Sequence, residues 1–289
     1  MYERKGSENM GKFDKVLIAT DFDNTLVYTE AAITTGADIA PISARNRAAI
    51  EHFIAEGGLF SVSTGRAMPA FSSYAADLPL NAPCVVANGA AIYDYRTNEA
   101  LYTAYLDAAV YDHMDELFAT FPNLTMEVYH ADRRIHTINP NQYVRFHEHL
   151  TRTQAVEVKS FREIDPPIIK VLFEDEPEVL KTIHDHILAQ SWGAEYELVF
   201  SNDHLLELTK AGASKGGMVL RLAELLGVDR KDIYCIGDHG NDISMLKVSA
   251  LSFAPANAIP AVLEVADKVV GHCRDGALAD MIEELEKRY

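Results

Sequence analysis

Four short apolar runs in this sequence end on polar or acidic residues, and amphipathic stretches separate them. The runs are KVLIATDFD (15–23), LFSVSTGR (59–66), PCVVANG (83–89) and DIYCIGD (232–238). Near-continuous apolar runs of this length read as strands covered on both faces, as in a parallel sheet. Between the first two, Ser43 stands where it would cap ARNRAAIEHFIAEGG, and Gly57 and Gly58 would close it. A further helix is expected from about Met68. Late in the chain, Ser214 and Gly227 bracket the helical pattern of GASKGGMVLRLAELLG. A short helix over NDISMLK, a strand over ALSFA (250–254), a helix over AIPAVLEVAD and an amphipathic helix over 276–289 complete the pattern. This alternation predicts a doubly wound, Rossmann-like α/β core around a parallel sheet.

The middle of the chain has a different rhythm. Val110, Met114, Leu117, Phe118 and Phe121 keep helical spacing. LTMEVYH and RRIHTIN read as a hairpin turning at Ala131 and Asp132, and YELVFSN and HLLELT as another turning at Asn202 and Asp203. IIKVLFED reads as a strand and EPEVLKTIHDHILAQSW as a helix. The expected organisation is therefore an α/β core formed by 1–91 and 209–289, interrupted by an inserted α+β cap domain at 92–208.

The formal net charge of −17 argues against nucleic acid and anionic membrane as partners, since both demand a basic footprint. No apolar run approaches the roughly 20 residues of a membrane helix. Residues 1–13 read as a polar N-terminal extension without the apolar stretch of a signal peptide. Cys84, Cys235 and Cys273 are widely spaced and form no CxxC pair, which suits reduced thiols and a cytoplasmic location.

Ligands bind at the carboxyl ends of strands in an open parallel sheet. That rule draws Asp21 and Asp23, Thr64, Gly65 and Arg66, Asn88 and Gly89, and Asp238, Asn241 and Asp242 to one rim, with Lys215 opening the helix before the last group. Four aspartates crowded together are costly without a cation. Magnesium, which prefers hard oxygen ligands, suits them. The helix start after Thr64-Gly65-Arg66 offers free N–H groups to an anion. Carboxylates, a metal, a lysine and a hydroxyl together suit phosphoryl transfer. Plainer readings exist for some of these residues. Thr64-Gly65-Arg66 would also make a strand-to-helix turn, and Asn88-Gly89 is a common hairpin dipeptide. His147/His149 and His184/His186 fall at i and i+2 on predicted helices, point apart, and make poor chelates.

DFDNTL (21–26), STGR (63–66), NGA (88–90), SKG (214–216) and GDHGNDISML (237–246) resemble, in order and spacing, the motifs of the haloacid dehalogenase-like phosphatases. The nearest resemblance is to the Cof-type branch, whose large cap lies between the second and third motifs. The resemblance implies a magnesium-dependent phosphatase acting on a small phosphorylated metabolite such as a sugar phosphate. It implies Asp21 as nucleophile and metal ligand. Asp23 would be the general acid and base, and would bind metal through its backbone carbonyl. Thr64 and Lys215 would hold the phosphoryl oxygens and the Asp21 carboxylate, and Asp238 would be the other metal ligand. Asn241 would contact phosphate, Asp242 would support the metal site from behind, and Gly65, Arg66 and Asn88 would lie toward the substrate. Two positions depart from the family pattern: His239, which would face substrate or solvent, and Pro255, where methionine is common. A phosphomutase and a phospho-metabolite-binding regulator with a vestigial site are the alternatives.

Overall fold

The computed structural model describes residues 11–30, 32, 39–151 and 153–289, so residues 1–10 of the expected extension lie outside the described residues. In chain order the described strands are β1 (Leu17–Thr20), β2 (Leu59–Val62), β3 (Cys84–Val86), β4 (Ala91–Asp94), β5 (Glu99–Thr103), β6 (Met126–His130), β7 (Ile135–Ile138), β8 (Val156–Glu157), β9 (Ile168–Glu174), β10 (Tyr196–Asn202), β11 (Leu205–Lys210), β12 (Ile233–Ile236), β13 (Leu251–Pro255) and β14 (Lys268–Val270). The helices that frame them are α1 (Ala44–Ala55), α2 (Met68–Ala75), α3 (Val110–Thr120), α4 (Gln142–Thr151), α5 (Pro177–Ala189), α6 (Lys215–Leu226), α7 (Ile243–Val248), α8 (Pro260–Val265) and α9 (Ala277–Glu286).

The first sheet runs β14-β13-β12-β1-β2, with every pairing parallel. A parallel bridge from Ser63 to Val85 brings β3 alongside β2. The strand β1 is fully buried because its side chains alternate between two cores. Ile18 packs with Ile50 and Phe53 of α1 and with Met281 and Ile282 of α9. Leu17 and Ala19 pack with Met218, Val219 and Leu222 of α6 on the other face. Helices on both faces make the sheet doubly wound, as the alternating sequence requires. The expected caps form: Ser43 accepts from the Asn46 N–H at 3.1 Å, Ser214 accepts from the Gly217 N–H at 3.2 Å, and Gly227 ends α6 at φ 67°.

The second large sheet runs β10-β11-β9-β6-β7-β8 and is antiparallel except for the β7–β8 pair. One face buries Val128, Val171, Phe173, Leu206 and Leu208 against α3 and α5. Its other face carries polar residues toward the rim of the first sheet. Both expected hairpins form, β6–β7 and β10–β11.

Packing crosses the expected boundary at residue 92. Strands β4 and β5 pair antiparallel with β3, and Tyr93 and Ile92 enter the two cores of the parallel sheet. The chain commits to the second sheet only after this hairpin. Among the described residues no helix is long and apolar enough to cross a membrane, and all three cysteines are buried and free.

Candidate active site

The carboxyl ends of β1, β2, β3 and β12 converge, and Lys215 organises them from below. Its ammonium, with 1% residue exposure, donates to Asp21 Oδ1 at 2.6 Å and to Asp242 Oδ1 at 2.6 Å. Burial alone would push the Lys215 ammonium down, but the charges of Asp21 and Asp242 hold it above its ordinary value. Asp21 leaves β1 with its N–H on the Ile236 carbonyl, 2.9 Å away, which fixes the loop after β1 to the neighbouring strand.

Asp242 faces away from the open space. Its second oxygen accepts from the N–H groups of Asp238 at 2.9 Å and His239 at 3.0 Å. It therefore shapes the loop that carries Asp238. Gly237 makes this approach possible, since a Cβ there would sit 2.4 Å from the Asp242 Cβ. Asp238 in turn accepts from the Thr25 hydroxyl at 2.8 Å. Thr25 was not singled out in the sequence. Its place in DFDNTL was visible, but its partner lies more than two hundred residues downstream.

Asp21, Asp238 and Asp242 present oxygens that all lie within 4.8 Å of one another, and the single charge of Lys215, shared between Asp21 and Asp242, leaves the set net negative when ionised. Burial, reinforced by the other aspartates, raises Asp21 well above the usual carboxylate range. Burial and the Asp242 charge push Asp238 up to about 7. This hard, oxygen-only, over-charged set fits a divalent cation. Asp21 and Asp238 line the cavity and each keeps an oxygen free of protein donors, whereas both Asp242 oxygens are engaged.

Three residues of the expected set are held by partners within the protein. Arg66 was expected to lie toward the substrate. Its guanidinium grips the Asp23 carboxylate with two bonds, at 2.8 and 2.7 Å, and lies over the rings of Tyr74 and Phe22. Opposite charge and the aromatic faces draw it back. Thr64 is fully buried, and its hydroxyl accepts from the Arg66 N–H at 3.1 Å. Asn88 is 2% exposed and holds the left-handed conformation at φ 53°, between Ala87 and Gly89, whose φ values are also positive. Strain of this kind needs surroundings that over-determine it. Here Asn88 Oδ1 accepts from Asn241 Nδ2 at 2.9 Å, while Asn88 Nδ2 and Asn241 Oδ1 lack hydrogen-bond partners.

Asp21, Asp23, Gly65, Arg66, Asp238 and Asn241 line one side of a cavity of about 760 Å³. His239 lines it too, so this histidine faces the chamber. The opposite wall comes from the second sheet and α4, with Tyr129, His147, Lys170 and Glu207 among its residues. A buried carboxylate, a fixed ammonium and two further carboxylates facing one chamber are groups that could serve phosphoryl transfer.

Comparison with known proteins agrees with this geometry. The family model described as haloacid dehalogenase-like hydrolase matches residues 18–282. YxeH of Bacillus subtilis (strain 168), named as a phosphatase, is 30% identical over 280 residues, covering 93% of this chain and 97% of the relative. The 5-amino-6-(5-phospho-D-ribitylamino)uracil phosphatase YwtE of the same organism is 27% identical over 304 residues, covering 93% and 97%. The crystal structure of a haloacid dehalogenase-like hydrolase from Bacteroides thetaiotaomicron superposes with a TM-score of 0.76 at 25% identity, covering 93% of this chain and 99% of that one. This chain belongs to the haloacid dehalogenase-like hydrolases, in their Cof-type branch.

Proposed function

We propose that this hydrolase is a magnesium-dependent phosphatase that cleaves small phosphate monoesters, such as sugar phosphates, through an aspartyl-phosphate on Asp21. The observation that carries the reading is the buried Asp21–Lys215 pair at 2.6 Å, opening onto a chamber that Asp23 and Asp238 share. An ordinary surface ion pair would not bury a lysine among aspartates facing a cavity of this size. The printed name of YwtE, a phosphatase of a phosphoribityl compound, supports a small phosphorylated metabolite as substrate.

Under this reading, the free Asp21 oxygen attacks phosphorus and forms an acyl phosphate while the ester oxygen leaves. Asp23 protonates that oxygen, then takes a proton from the water that attacks the acyl phosphate, which returns Asp21 and releases phosphate. Lys215 keeps Asp21 oriented and offsets the charge gathered around phosphorus. Asn88 offers its unpaired Nδ2 as a donor to the phosphoryl group, and Asn241 would donate to it once its Nδ2 leaves Asn88 Oδ1. Arg66 must release Asp23 before Asp23 serves as acid, and its guanidinium is then free to meet the substrate. Magnesium held by Asp21, Asp238 and the Asp23 carbonyl would neutralise charge between nucleophile and phosphate.

The test is a phosphate-release screen over phosphorylated metabolites with magnesium. The expected result is release from one or more members, abolished by excess chelator and poorly restored by calcium, which favours more ligands and looser geometry. No release from any member, or full activity in chelator, would overturn the reading.

A further inference from the structure

The wall of the chamber opposite the aspartates contains a second buried group of metal-ligand type. Glu127 on β6 and Glu174 on β9 are both 0% exposed. His147 on α4 reaches down between them, its Nδ1 2.8 Å from Glu127 Oε2 and 3.7 Å from Glu174 Oε1. One ligand atom from each of the three lies within 4.8 Å of the others. The two glutamates share a sheet face because β6 and β9 pair with Glu127 opposite Leu172, two positions from Glu174.

The second observation is what these carboxylates lack. Both oxygens of Glu174 and Oε1 of Glu127 are buried without a hydrogen-bond partner. Only Glu127 Oε2 is served, by the Tyr129 hydroxyl at 2.6 Å and by His147. The nearest cation, Lys170, is already paired with Glu207 at 2.9 Å. Orphaned carboxylate oxygens fully removed from water are expensive and require a reason. A proton shared between the two glutamates would serve one oxygen of each and leave the third unmet. A cation among the three side chains would serve both glutamates at once.

We propose that Glu127, His147 and Glu174 form a binding site for a divalent transition metal ion, zinc or one like it, separate from the catalytic aspartates. The imidazole, a borderline ligand, makes this mixed set suit zinc better than magnesium. The site was not legible as a motif. His147 pairs with residues on two strands, while its HxH neighbour His149 takes no part. His147 lines the chamber, so an ion held there sits at the wall facing the catalytic carboxylates. An oxygen of the substrate's leaving group, or water, would complete its coordination.

The test is zinc binding by calorimetry and metal analysis on the full chain, with excess magnesium present to occupy the aspartates. Wild type and Asp238→Asn should each bind about one zinc. His147→Asn and Glu174→Gln, checked for native circular dichroism, should bind on the order of 100-fold more weakly. As a readout on wild type alone, bound copper(II) should show coupling to an imidazole nitrogen in its paramagnetic resonance spectrum. Absence of zinc binding would overturn the site in favour of a shared proton. Binding that survives His147→Asn, or disappears in Asp238→Asn, would also overturn it, the latter by assigning the metal to the aspartates.

Discussion

Replacing Asp238 by asparagine keeps the side chain's volume and its acceptor for Thr25 while removing a charge the fold holds at a cost. Burial and the Asp242 charge raise the Asp238 carboxyl from 3.8 to about 7. At ~1.4 kcal/mol per pH unit, that rise is on the order of 4 kcal/mol of destabilisation once the group is ionised. A carboxyl whose folded value is raised contributes stability below its unfolded value, and that contribution is lost as pH rises through the folded value. The metal-free wild type should therefore be weakened above about pH 7, and Asp238→Asn should escape the penalty. Thermal unfolding in chelator at about pH 8 should show the variant melting several degrees higher, since ~1 kcal/mol moves a domain of this size by roughly 2–4 °C. The gap should shrink to under about half by pH 5, where wild-type Asp238 is protonated in the fold. Magnesium should stabilise wild type at pH 8 and the variant much less. A variant that is equally stable or less stable than wild type in chelator at pH 8 would refute the idea that charge crowding at the rim calls for a cation.

Gly237→Ala would press a Cβ to 2.4 Å from the Asp242 Cβ and displace the carboxylate that holds Lys215 and the Asp238 loop. The change should cost about 1–3 kcal/mol of stability and lower kcat at least ~10-fold; unchanged melting and turnover would contradict it. Thr25→Val removes the hydroxyl that stabilises ionised Asp238. The Asp238 carboxyl should rise further, and the acid limb of the pH–rate profile should move to higher pH. A limb that stays put or moves down would show that Asp238 does not govern it.

The parallel core was readable because a strand buried on both faces leaves a plain trace, an apolar run with its chemistry at the carboxyl end. Asp21 and Asp238 could be gathered from distant parts of the chain on that rule, with Lys215 opening the helix before the last of these strands. The direction of a long side chain could not. Arg66 follows Thr64 by two residues, and its guanidinium turns to Asp23, a choice set by charge and by the Tyr74 ring. The cap boundary was blurred because β4 and β5 continue from β3 as a hairpin, and antiparallel pairing of this kind resembles the cap's own strands. The glutamates around His147 were hidden for a related reason. A carboxylate on a strand reads as solvent-facing until α4 is known to cover that face.

The most direct test of the central claim is acid-quenched reaction of Asp23→Asn with p-nitrophenyl phosphate and magnesium. Asparagine cannot activate water, and nitrophenolate needs little protonation to leave, so the phosphoryl-enzyme should accumulate. Stopped flow should show a burst of about one nitrophenol per chain, and peptide mass spectrometry should locate an equal amount of phosphate on Asp21. Phosphate on another residue, or steady turnover with neither a burst nor a phosphorylated Asp21, would contradict the account.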